Sequence, residues 1–179
     1  ARALNILNRF ANLTAVEVEK AFRQAQEGRP TLLAIASHDF RDLGAEVEYF
    51  HKVLVDTQAK FPDVKFRYCE ALEAFRAVAH DGVVGEPLRL QVRLHRRPDG
   101  SPASLTVDTV CGRVFGPQPF LAIATRSRRF VHDNLDFSTD LRSWRYVFDA
   151  ESIVPEDVAA IGVAANDQYG HTCVEVIPA

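Results

Sequence analysis

Between Asp81 and Pro87 the hydrophobic period of this chain changes, and one kind of secondary-structure layer cannot serve both halves. Upstream, apolar residues recur at helical spacing. Val18, Ala21, Phe22 and Ala25 form one stripe, preceded by the capping box Thr14…Glu17 and stopped by Gly28, which predicts a helix over 14–27. Asp42 caps a second helix, 44–60, whose stripe is Val47, Phe50, Val53, Leu54 and Phe61, with Pro62 ending it. A short third helix over 70–78 turns Ala71, Leu72 and Phe75 inward. Downstream, Leu88, Leu90, Val92 and Leu94 alternate with Arg89, Gln91, Arg93 and His95, as a half-buried antiparallel strand does. Further strands are predicted at 103–110, 119–125, 128–132, 143–149, 158–165 and 171–177, with turns at 98–101 and 166–170. The boundary therefore separates two domains, 1–82 and 86–179.

The interval between the first two helices constrains function. Thr31-Leu32-Leu33-Ala34-Ile35-Ala36 is an apolar run of the kind buried on both faces in a parallel sheet, and it empties into Ser37-His38-Asp39-Phe40-Arg41-Asp42. Ligands and catalytic groups collect at the carboxyl ends of such strands. His38 titrates near neutrality and suits a general acid or base; Asp39 and Arg41 stand beside it to orient it or to hold a hydroxylated or anionic substrate. With a second strand at 64–68, the order α, β, α, β, α is the grammar of a parallel α/β fold. Two strands cannot cover three helices, so an upstream domain or a second subunit is expected to complete the layer.

Composition removes several classes. Residues 1–82 carry 11 basic and 12 acidic groups and residues 83–179 carry 10 and 12, so neither half has the polycationic footprint of a nucleic-acid binder. No apolar run approaches the ~20 residues of a membrane span. The chain contains no Met and opens on Ala1-Arg2-Ala3-Leu4 without a cap or turn signal, which suggests a truncated or processed N-terminus. Cys69, Cys111 and Cys173 have no metal-ligand spacing and suit free thiols, with a Cys111–Cys173 bridge left open. Gly-rich phosphate loops, GxSxG elbows and HExxH motifs are absent, and with them the P-loop, α/β-hydrolase and zincin readings.

The remaining ionisable groups have simpler explanations. His51 borders an apolar helical stripe, His80 and Asp81 belong to the interdomain turn, and His95 faces outward from its strand. Glu70 and Glu73 suit a helix N-terminus. His132-Asp133-Asn134, following Arg126, Arg128 and Arg129, could bind sugar or metal but is more often a solvated sheet edge.

The succession LLAIASHDF, an amphipathic helix and then FPDVKFRYCEALEAF resembles the C-terminal part of polysaccharide deacetylase-like domains (NodB-type, carbohydrate esterase family 4) over residues 31–79. The resemblance implies a distorted (β/α) barrel and metal-dependent removal of acetyl groups from a polysaccharide or glycan, with His38 matching the motif histidine that acts as general acid. It places the divalent metal, zinc foremost, and the catalytic base on motifs upstream of those matched here; nothing in residues 1–30 matches them, and none is expected on this chain alone. The expected class is thus a partial (β/α) barrel or parallel α/β layer followed by an immunoglobulin- or fibronectin-like β-sandwich, although the Cys…Trp…Cys pattern of antibody domains is not met around Trp144. A non-catalytic glycan- or protein-binding module is the alternative. It would be favoured by exposed Trp144, Tyr146 or Tyr169 forming an aromatic platform.

Overall fold

Thr14 does what its position before an apolar stripe requires. Its side chain accepts the Glu17 N–H at 3.4 Å and starts helix α1, Ala15–Gln26. The computed structural model describes residues 2–5, 13–37, 40 and 42–179, residues 2–5 as backbone, and the chain divides into two compact units, Ala1–Val83 and Val84–Ala179.

In the first unit, β1 (Arg2–Asn5) pairs in parallel with β2 (Leu33–Ala36), in the register Arg2 with Leu33 through Asn5 with Ala36. Asp42 caps α2 (Leu43–Gln58) by accepting from the N–H groups of Gly44 and Ala45, and α3 follows at Ala71–Ala79. The α1 stripe is buried as its spacing requires: Val18, Ala21 and Phe22 are inside, and Phe22 meets Phe61 and Phe66 at ring separations of 5.8 and 6.0 Å. Leu13, Leu54 and Val64 complete this core.

The described residues do not form the expected parallel layer. Among the described residues the parallel pairing is confined to the four-residue β1 and β2, and the predicted strand at 64–68 joins no ladder. Its alternation is satisfied differently: Phe66 packs on Phe22, and Tyr68 packs edge-on against Phe50 at 6.3 Å, so these rings turn to the helices instead of extending a sheet. Other helical positions lose their cover as a consequence. Val47, Leu72 and Phe75, expected inside, are 61%, 42% and 53% exposed, and Ala71 is exposed as well.

The second unit is entirely antiparallel. Strands β3 (Arg89–Arg96), β4 (Pro102–Cys111), β5 (Phe120–Thr125), β6 (Phe130–Asp133), β7 (Asp136–Phe137), β8 (Ser143–Val147), β9 (Val158–Asn166) and β10 (Thr172–Pro178) make two four-stranded sheets, β10-β9-β5-β6 and β3-β4-β8-β7. Leu90, Leu105, Val107, Trp144 and Tyr146 from one sheet and Leu121, Ile123, Ile161 and Val163 from the other share one core. Gly112, just past β4, has φ +74°, and a Cβ there would lie 3.1 Å from the Leu88 Cα.

These findings replace the expected class. Among the described residues the chain is mostly β, in two antiparallel sheets, with no barrel; the expectation of a partial (β/α) barrel or parallel α/β layer followed by an immunoglobulin-like sandwich is not met, the first unit being helical with one short parallel strand pair. No helix among the described residues is long and apolar enough to cross a membrane.

Candidate functional site

The predicted site residues His38, Asp39 and Arg41 lie outside the described residues, while the frame on either side of them is described. β2 ends at Ala36, and Asp42 begins α2, so residues 37–42 are the connection at the carboxyl end of a parallel strand. Within that connection Phe40 is 80% exposed. The Ser37 hydroxyl donates to the carboxylate of Glu46, which stands in the first turn of α2 and is only 6% exposed. Burying a carboxylate is costly unless it is hydrogen-bonded, and the first turn of a helix is where its charge is best tolerated. Glu46 is a residue that sequence reasoning missed. Its one signal was a polar side chain four positions past a cap, on a helix whose apolar stripe does not include it.

A cavity of ≈ 490 Å³ lies along the body of β2, not at its end. Its walls include Phe22 on α1, Leu33 and Ile35 on β2, Phe50 on α2, Phe66 and Phe75, whereas Ser37 and Glu46 do not line it. It has the size and apolar lining of a small-ligand pocket. Two of its lining residues have polar partners: the Tyr68 hydroxyl and the His51 Nδ1 share a hydrogen bond of 2.9 Å, and Arg67 pairs with Glu73 at 2.8 Å.

The other ionisable groups are held in structural roles. Asp133 accepts the Tyr146 hydroxyl at 2.9 Å and the Asn134 N–H at 2.8 Å, and Asn134 accepts from Gln118, so two members of the 132–134 cluster are engaged. Burial pushes the Tyr146 hydroxyl up from its ordinary range, and the neighbouring carboxylates add to this against the bond from Ser152. His95 bonds Thr106 across the β3–β4 pair at 3.2 Å. The three cysteines are free, and the Cys111 thiol donates to Glu86 at 3.2 Å. Among the described residues no group of three or more His, Cys, Asp or Glu side chains converges to hold a metal.

The β9–β10 hairpin contains a second buried carboxylate that the sequence reading took only as part of a turn. Asp167 is 3% exposed and accepts three hydrogen bonds, from the Tyr169 N–H (2.8 Å), the His171 N–H (2.9 Å) and the His171 Nδ1 (2.7 Å). Burial by itself makes the carboxyl a weaker acid, but these donors together outweigh burial and hold it below the ordinary aspartate range. The available signal was the Asp-x-x-x-His spacing across the predicted turn. Trp144 and Tyr146, two of the three rings of the conceivable platform, are 2% and 7% exposed in the core and cannot present a glycan-stacking surface.

Scans against protein-family models, curated proteins and solved structures find no match, so no relative identifies either a deacetylase-like or an immunoglobulin-like domain here.

Proposed function

We propose that this chain is part of a carbohydrate-active hydrolase similar to polysaccharide deacetylases, in which His38 is the general acid. The observation that carries the reading is the placement of residues 37–42 between the carboxyl end of β2, paired in parallel with β1, and the capped N-terminus of α2. Parallel strands deliver reactive side chains at that end, and the segment carries His38, Asp39 and Arg41 in four consecutive positions. In the reaction His38 hands a proton to the departing amine or alkoxide of an acetylated sugar, Asp39 orients the imidazole and Arg41 holds a hydroxyl of the glycan. The described side chains offer no cradle for the divalent metal that the resemblance implies. The remaining catalytic groups belong to residues other than those described.

The test is acetate release from chitohexaose and from acetylated xylan by the full natural polypeptide carrying His38→Ala. Turnover is expected to fall about 10²–10⁴-fold, the ordinary worth of a general acid, while Arg41→Ala raises KM more than it lowers kcat. A wild-type rate in His38→Ala refutes the assignment.

A further inference from the structure

The two sheets of the second unit have outer faces of opposite character. On β3-β4-β8-β7 the outward positions carry Gln91, Arg93, Asp108, Ser143 and Arg145; Arg93 pairs with Asp108 at 3.2 Å, and Ser143 donates to the same carboxylate. That is a solvated surface. On β10-β9-β5-β6 the cross-strand registers place three rows outward: Val174, Ala164 and Phe120; Val176, Gly162, Ala122 and His132; Pro178, Ala160, Ala124 and Phe130. No Asp, Glu, Lys or Arg side chain interrupts them. Val174 and Val176 are 61% and 68% exposed, and Phe120 and Phe130 are 58% and 88% exposed.

The relief of this face is as informative as its polarity. Its middle is made by Ala160, Gly162 and Ala164 on β9 with Ala122 and Ala124 on β5, and its bulk stands around them, Val174, Val176 and Pro178 on β10 and Phe120, at the start of β5, with His132 and Phe130 on β6, so a shallow trough runs between a valine-proline ridge and an aromatic one. Phe120 and His132 lie against one another, with rings 6.1 Å apart. Gly162 sits in the middle of a strand, where glycine weakens the sheet. Neither backbone nor internal packing requires it: its φ is not positive, and a Cβ would meet nothing closer than the Ala122 Cβ at 3.8 Å. A mid-strand glycine without an internal reason marks close approach from outside.

We propose that this face is the contact between two copies of the chain, related by a two-fold axis, with the phenylalanine ridge of each copy seated on the alanine-glycine trough of the other. A two-fold contact must be self-complementary, and a ridge and a trough on one face meet that demand. With aromatic side chains offering ~150–250 Å² each, the face presents roughly 600 Å², at the upper end of what a monomer leaves bare and close to the ~800 Å² per partner of a standard interface. No Lys or Arg stands in these rows to attract a nucleic acid or an anionic lipid surface.

The inference is independent of the hydrolase reading, and sedimentation velocity of the whole chain from 1 to 100 µM tests it. Wild type is expected to pass from monomer to dimer in that range. Phe130→Ser removes the most exposed ridge residue, and Gly162→Leu fills the trough; each should weaken dimerisation at least tenfold, while Arg93→Ala on the opposite sheet leaves it unchanged. Fluorescence of Trp144, in the core of the same unit, verifies that each variant is folded. A wild-type chain that stays monomeric at 100 µM overturns the proposal, as does a dimer that survives both folded variants or is broken equally by Arg93→Ala.

Discussion

Replacing Asp167 with alanine removes a single buried carboxylate and three hydrogen bonds together, and the size of the effect follows from the geometry. The donors are two backbone N–H groups and one imidazole nitrogen, at 2.7–2.9 Å, around a side chain that is 3% exposed. At about 1 kcal/mol net for each bond, the loss is about 3 kcal/mol. The hairpin also closes on itself through Asp167, whose N–H bonds the His171 carbonyl at 3.0 Å, so loosening the turn frays the β9–β10 pairing. The chain has one tryptophan, Trp144, and it lies in the core of the same unit, so its fluorescence follows unfolding of that unit in urea. For a slope of ~1–3 kcal/mol/M the midpoint should fall by about 1–3 M. The pH dependence gives a second measurement. Because the folded carboxyl titrates below its unfolded value of ~3.9, the unfolded state binds more protons in that window, and stability rises with pH there. The advantage of wild type over Asp167→Asn is fully present above pH ~4 and disappears as pH falls through the lower, folded value. A loss under 1 kcal/mol in Asp167→Ala, or an advantage undiminished at pH 2, would refute this account of the turn.

Two further substitutions probe the two cores. Phe22→Ala takes a 4%-exposed ring away from Phe61 and Phe66 and should cost the first unit about 3–5 kcal/mol, measured as loss of helical circular dichroism on heating. Gly112→Ala combines φ +74° with a Cβ placed 3.1 Å from the Leu88 backbone, and should destabilise the second unit by about 1–3 kcal/mol in the Trp144 assay; a neutral result would mean that the β4 exit does not hold this conformation.

How much was legible in the sequence depended on whether the signal was local. The caps at Thr14 and Asp42 bond as their positions predicted, because an N-cap needs only its own next three residues. The alternation of Leu88 to Leu94 is a strand in the structure for a similar reason: a period of two has one common solution in a half-buried sheet. The segment 64–68 shows where this fails. Its alternation was real, but a strand exists only if a neighbour offers a ladder, and its rings found helices instead. The same missing neighbour left Leu72 and Phe75 exposed, although their helical spacing was correct.

For the candidate site the division is similar. That an apolar strand runs into His38, Asp39 and Arg41 before a capped helix follows from chain connectivity, whatever the fold around them. The burial of Glu46 against Ser37, the placing of Trp144 and Tyr146 in the core, and the exposure of one apolar sheet face were settled by folding in three dimensions. Each of these depends on which surfaces meet, a property of packing between residues far apart in sequence and therefore invisible to periodicity, which records only which side of an element is apolar.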